Sequence, residues 1–225
     1  MHARPGTRLF LATLLLLVAA DAAAQPAAAA TTRDRELLAE TNAARTDPAG
    51  YARHLEEMLP LFDGNVLRRP GSSVGLRTNE GPAAVREAIR FLRAQAPLAP
   101  LEWSDGLWAA ARDHVRDQGP SGSTGHTGQD GSSMSQRIGR YGRWQVTAAE
   151  NIDYGSTSAR ESVISLIVDD GVPNRGHRTN VFEPRLRVMG ATCGPHARYR
   201  TMCVFNYAGG FTASDAAPAS PPSKR

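Results

Sequence analysis

Two apolar runs late in the chain, Leu186 to Cys193 and Thr201 to Tyr207, each carry one of the only two cysteines in 225 residues. Both runs read as strands, and Gly194-Pro195 opens the connection between them. A hairpin with Cys193 opposite Cys203 fixes the other pairings too, setting Ala191 against Phe205 and Met189 against Tyr207. A disulfide closing so short a loop contributes roughly 3 kcal/mol in the chain-entropy model, so the expected bridge is structural. A thiol nucleophile is the lesser alternative. Two cysteines cannot staple a disulfide-dense scaffold, and the rest of the fold needs an ordinary core.

The N-terminus is an address. Arg4 and Arg8 precede an apolar run from Leu9 to Ala20, and Ala22-Ala23-Ala24 supplies small residues for cleavage before Gln25. Residues 1–24 therefore read as a signal peptide. Its dozen or so apolar residues fall short of the ~20 that span a bilayer, and no later segment approaches that length. The expectation is a soluble protein, secreted or periplasmic, in a compartment where a disulfide persists. With 41% hydrophobic residues the chain suits one globular domain. Its expected limits are 32–211, after a flexible stretch at 25–31 and before a Ser, Ala and Pro-rich disordered tail at 212–225. The formal charge is +4, and Lys224 is the only lysine among 26 basic residues. Acidic residues are interspersed throughout, so no nucleic-acid partner is expected, and the charges read mostly as solvated surface. A monomer is expected.

Helix signals punctuate the domain. Leu37, Leu38, Thr41 and Ala44 mark one face of a helix beginning near Asp34. Asp47-Pro48 supplies a cap and a first-turn proline for a second helix. Residues 60–79 read as an irregular connection, Pro82 starts a helix with Val85, Ala88, Ile89 and Leu92 on one side, and Ser104 caps another. His114 falls on the apolar side of that last helix and reads as a packed core residue rather than a ligand. Glycines at every third position from Gly119 to Gly131 suit neither collagen nor a phosphate loop, and predict a mobile loop around His126. Ile152 and Tyr154 suggest a short strand. Ser158 with Glu161 reads as a capping box for a helix ending at Asp169-Asp170-Gly171. Two acids at a helix C-terminus oppose its dipole, and such a local misfit often marks a site.

Several mechanisms are absent from the sequence: it has no G-x-S-x-G elbow, no H-E-x-x-H helix, no C-x-x-C and no dinucleotide glycine fingerprint. What remains is a scattered polar set of His126, Glu150, Asp169 or Asp170, and His177. Two neutral imidazoles beside carboxylates suit a borderline divalent cation such as zinc, with positions left for water. The same scatter also suits a merely structural cluster.

The order Gly125-His126-Thr127-Gly128, then Glu150-Asn151-Ile152, then Gly176-His177-Arg178 resembles the CAP superfamily of cysteine-rich secretory, antigen 5 and pathogenesis-related (SCP-like) proteins. Asn42-Ala43-Ala44-Arg45 is similar to the Asn-x-x-Arg of the family's first helix, and Leu101-Glu102-Trp103 to a later helix entry. The resemblance spans roughly Asp34 to Phe211, with about 60–100 looking like an insertion and Ala149 standing where a glycine is usual. It implies an α+β fold, an α-β-α sandwich with a central antiparallel sheet. It also implies a cleft of two histidines and two acids, which map to His126, Glu150, His177 and Asp170, with Asp169 the alternative to Asp170. Members are mostly binding modules, some for lipids.

Three functions follow. The leading one is a non-catalytic exported protein binding a divalent metal through His126 and His177, and a lipid or other envelope component. The second is a metal-assisted hydrolase of peptides or envelope polymers with Glu150 or Asp170 as general base. The third is a structural envelope protein with a vestigial cleft.

Overall fold

The computed structural model describes residues 29–71 and 73–214; the expected leader at 1–24 and nearly all of the expected tail lie outside them. The first helix, α1 (Thr32–Thr46), starts where Thr31 and Asp34 exchange the two hydrogen bonds of a capping box, and it buries Leu37, Thr41 and Ala44. The α2 helix (Pro48–Glu56) begins as expected, with the Asp47 carboxylate accepting from the Gly50 N–H at 2.8 Å and Pro48 in the first turn.

The connection at 60–79 is more ordered than the irregular one expected, while the helix expected from Pro82 is present. Three two-residue strands, β1 (Phe62–Asp63), β2 (Val66–Leu67) and β3 (Leu76–Arg77), form a small antiparallel sheet. After them α3 (Pro82–Ala94) turns Val85, Ala88, Ile89 and Leu92 into the main core. Its apolar face is therefore covered.

The main sheet follows. It contains β4 (Glu102–Trp103), β5 (Gly142–Tyr154), β6 (Val188–His196) and β7 (Arg200–Ala213), in the order β4-β6-β7-β5. All pairs are antiparallel except the short β4 on β6. Side chains alternate along β7. Met202, Val204 and Ala208 face α4 (Asp105–Gln118) and α5 (Met134–Gly139), while Cys203, Phe205 and Tyr207 join the core made with α1, α3 and α6 (Ala159–Val168). A helical layer thus lies on each side of the sheet, the expected sandwich. A last short helix, α7 (Gly176–Val181), closes one edge.

The expected hairpin register is present residue for residue: Cys193 faces Cys203 and is bonded to it, Ala191 faces Phe205, and Met189 faces Tyr207. Strand limits differ: β6 starts two residues later than expected and runs on through Gly194-Pro195, which pair with Met202 and Thr201 instead of opening the turn. The strand expected at Ile152 to Tyr154 is thirteen residues long, because β5 is an edge strand whose first half, Arg143 to Val146, is exposed and shows no apolar alternation. β7 runs to Ala213, two residues past the expected domain end, because Gly142 and Arg143 pair with Ala213 and Thr212. No helix among the described residues is long and apolar enough to cross a membrane.

The cystine joins residues ten apart on neighbouring strands. A Cys193→Ala, Cys203→Ala double variant is expected to lose about 3 kcal/mol of unfolding free energy in a denaturant titration while keeping its circular-dichroism spectrum.

Candidate functional site

The β5 strand carries the centre of the site. Glu150 lies opposite Asn206 of β7 and is 6% exposed, so its charge needs a partner. That partner is Arg137 on α5, itself 1% exposed. Its Nη2 donates to Glu150 Oε1 at 3.0 Å and Oε2 at 2.8 Å, and to the His126 carbonyl at 3.0 Å. Nη1 donates to the Ser132 carbonyl at 2.8 Å. The α5 helix is set by a capping box between Ser133 and Gln136. Glu150 Oε1 lies 2.9 Å from His126 Nδ1. Burial alone raises the Glu150 carboxyl pKa, but the His126 hydrogen bond and the Arg137 charge outweigh it and hold the group below its ordinary value of 4.5.

The glycine-rich loop bearing His126 is tied from three directions, unlike the mobile loop expected. Buried His114 bonds the Gly125 carbonyl through Nε2 at 2.9 Å, as a packed core histidine. Gln118 donates to the Thr127 carbonyl at 2.9 Å, and the Gly125 N–H donates to the Tyr154 hydroxyl at 3.0 Å. Burial lowers the His114 pKa and favours its neutral ring.

The second half of the site gathers around α7. The α6 helix ends with Asp169 in the left-handed region, φ 52°, which turns its carboxylate back over the first turn of α7. Asp169, 3% exposed, accepts from the His177 N–H at 2.9 Å and pairs with His177 Nδ1 at 2.6 Å. Asn151, next to Glu150 on β5, points to the opposite side of the strand. Its amide donates to the His177 carbonyl at 2.9 Å and accepts from Asn180 at 2.8 Å. Two consecutive residues of one edge strand therefore hold both halves.

Asp170, the expected fourth member of the cleft, is placed elsewhere. Its two oxygens accept from the N–H groups of Asn79 and Glu80 at 2.7 and 2.8 Å, in the turn before α3. Asp169 takes the place because its own backbone turns through αL while Asp170 faces the loop beyond. Arg137, Asn151 and Asn180 were not anticipated. The one sequence signal for Arg137 is the Ser133-x-x-Gln136 pattern that starts its helix.

His126, Glu150, Asn174, His177, Thr179 and Asn180 line one open hollow of about 410 Å³. An ionised carboxylate only accepts, so each imidazole in its neutral form places its proton on Nδ1 and keeps a free lone pair on Nε2. Glu150 and Asp169 are engaged behind the rings. Among the described residues no three His, Cys, Asp or Glu side chains converge on a cation. A cation held here would have at most the two imidazole nitrogens and water as ligands, which is not a closed structural cage. A second hollow of about 460 Å³ lies at the end of α4 and the β6–β7 turn. Val115, Pro120, Pro195 and Ala197 give it carbon walls, and Arg116 and Arg200, also in its lining, form no ion pair among the described residues.

A carboxyl held below its ordinary pKa stabilises the fold above the unfolded value and loses that contribution as pH falls through the folded one. The stability difference between the parent and Glu150→Gln, measured by urea unfolding, is expected to be largest near neutrality. It shrinks as the pH is lowered through and below 4.5; a flat or growing difference contradicts the placement of this charge.

No curated protein sequence matches the chain. Two solved structures resemble it. An outer surface protein from Borrelia burgdorferi is 19% identical with a TM-score of 0.42, over 49% of this chain and 78% of that one. An extracellular protein containing an SCP domain from Bacillus anthracis is 15% identical with a TM-score of 0.39, over 57% of this chain and 38% of that one. The family model for the cysteine-rich secretory protein family, CAP, matches residues 64–207, more than half of the chain. With its ordered motifs, its helix-covered sheet and this match, the chain belongs to the CAP family.

Proposed function

We propose that this CAP-domain protein works outside the cytoplasm as a non-catalytic binding module whose hollow captures a divalent cation, zinc, on Nε2 of His126 and Nε2 of His177. The observation that carries the reading is the shared pattern of the two rings. Each imidazole has its Nδ1 against a buried carboxylate, at 2.9 Å for His126 and 2.6 Å for His177. Such an acid fixes the ring and raises the basicity of the free nitrogen. When bound, zinc would present its remaining positions to water or to a ligand atom. Export fits the Cys193–Cys203 disulfide, which persists in oxidising compartments.

The hydrolase reading is the weaker one. A general base works best with a pKa near the working pH, and Glu150 is held below 4.5 with both oxygens on Arg137. Asp170 is engaged by two backbone N–H groups outside the hollow. Calorimetric titration of zinc into the mature chain is expected to show one site, lost in a His126→Ala, His177→Ala double variant. A chelator is expected to leave the apo chain folded by circular dichroism, since two ligands do not build a structural site. Unchanged zinc affinity in the double variant overturns the reading.

A lipid ligand is the second reading, at the second hollow, whose surface is almost wholly carbon and whose lining includes Arg116 and Arg200, neither of which forms an ion pair among the described residues. The ligand class it suits is a single acyl chain on an anionic head. Dodecanoate is expected to bind and dodecanol to bind at least about tenfold more weakly, with an Arg116→Glu, Arg200→Glu variant losing the preference. Equal binding of the two amphiphiles removes the charge argument.

A further inference from the structure

His177 stands on a helix of six residues whose N-cap, Arg175, sits in the left-handed region at φ 49° with no side-chain cap. So short a helix does not hold itself, and αL residues other than glycine persist only where their surroundings over-determine them. Asp169 at φ 52° and Arg175 bracket the loop that leads to His177. The loop is fixed from outside the hollow, by α3 and the turn before it.

That turn and the loop exchange bonds reciprocally. Asp170 takes the N–H groups of Asn79 and Glu80, and Glu80 Oε1 takes the Gly171 N–H at 2.8 Å. Glu80 also pairs both oxygens with Arg175, at 2.7 Å each. Further along α3, Glu87 holds two arginines that flank His177 in sequence. Arg175 Nε donates to Glu87 Oε2 at 3.2 Å, and Arg178 donates to Glu87 Oε1 and Oε2 at 2.6 and 2.8 Å. Arg178 is 3% exposed and also donates to the carbonyls of Ile167 and Val168 at the end of α6. Arg175 Nη1 reaches the Asp169 carbonyl at 2.8 Å. One carboxylate on α3 thus fixes the residue two before His177 and the residue just after it, and both arginines lead back to the segment that presents Asp169.

We propose that Glu87 is a positioning residue for the hollow, holding the imidazole of His177 on Asp169 through Arg175 and Arg178. The proposal rests on reading the hollow as a binding site, and its own core is the orientation of one ring. The α3 segment thereby becomes part of the site without touching anything bound there, and the engagement of Asp170 with Asn79 and Glu80 has a purpose in the same clamp.

The test uses the mature chain and the near-isosteric Glu87→Gln, with Glu56→Gln as control. Glu56 forms a 2.6 Å ion pair with Arg93 of α3, away from α7, and has the same 38% side-chain exposure as Glu87. Nitrogen-edited proton spectra report the Nδ1–H of each histidine ring, and zinc chloride alone is the titrant. In Glu87→Gln the His177 Nδ1–H signal is expected to shift or broaden away while that of His126 stays, and zinc affinity falls at least about tenfold, as for lost second-layer partners of metal ligands. Glu56→Gln is expected to change neither. An unchanged His177 signal in Glu87→Gln overturns the proposal whatever the zinc result, and so does an equal loss of both ring signals. If the parent chain binds no zinc but Glu87→Gln still loses only the His177 signal, the clamp stands and the metal reading fails.

Discussion

The strand that everything else is measured from is β7. It pairs with β6 on one side and β5 on the other, and every residue from Met202 to Ala208 is buried. A strand covered on both faces and both edges cannot slip by one residue without turning its apolar set inside out. The cystine marks the same register. Asn206 is the polar exception, and its amide donates to the Leu107 carbonyl at 3.1 Å. Opposite it stands Gly190, where a Cβ would lie 2.0 Å from the Trp108 nitrogen. The start of α4 therefore rests directly on the sheet backbone, and only glycine allows that approach. Glu150, paired with Asn206 on the other edge, inherits its position from this fixed pairing.

Arginine does structural work that its near monopoly among the basic residues only hints at. By composition these charges belong mostly to solvated surface, yet Arg45, Arg137 and Arg178 are at most 3% exposed. Arg45, from the Asn-x-x-Arg pattern, meets no carboxylate. It donates to the carbonyls of Ala99, Val181, Glu183 and Leu186, tying α1 to the segment between α7 and β6. Asn42, one turn before Arg45, exchanges two hydrogen bonds with the backbone of Leu101. A planar fork with five donors can serve several carbonyls at once, and a lysine ammonium cannot do so with the same geometry. Irregular segments with few ladder bonds of their own are held in this way.

What was legible in the sequence is what local chemistry decides. Asp47-Pro48, Pro82, Ser104 and Ser158 start helices because caps and first-turn prolines act within one turn of chain. The hairpin register follows from two cysteines and alternating apolar residues. The exposed half of β5 was not legible because an edge strand facing water needs no pattern. The choice between Asp169 and Asp170 was hidden for a different reason. Their chemistry is identical, and one backbone dihedral at the end of α6 decides which carboxylate faces His177. Even the expected capping box at Ser158 is only half formed: Ser158 accepts from the Glu161 N–H, but Glu161 reaches back to Thr157 instead.

The two halves of the hollow are built on opposite principles, and this bears on what they can hold. His126 leans on a charge pair sealed in the core, where removing either Arg137 or Glu150 strands the other at a cost of several kcal/mol. His177 leans on Asp169, which is held by an αL backbone and by partly exposed ion pairs whose individual contributions are small and sensitive to salt. The first half is therefore tied into the core, and the second rests on partly exposed ion pairs from α3. In both, Nδ1 of the ring faces a buried carboxylate and Nε2 points away from it. Arg137 is engaged with Glu150 and two carbonyls, so its charge is not free to meet an anion in the hollow. On the proposed reading, two imidazoles with carboxylates at Nδ1 suit an electron-poor guest, and the contacts of α3 with α7 bear on the second ring alone.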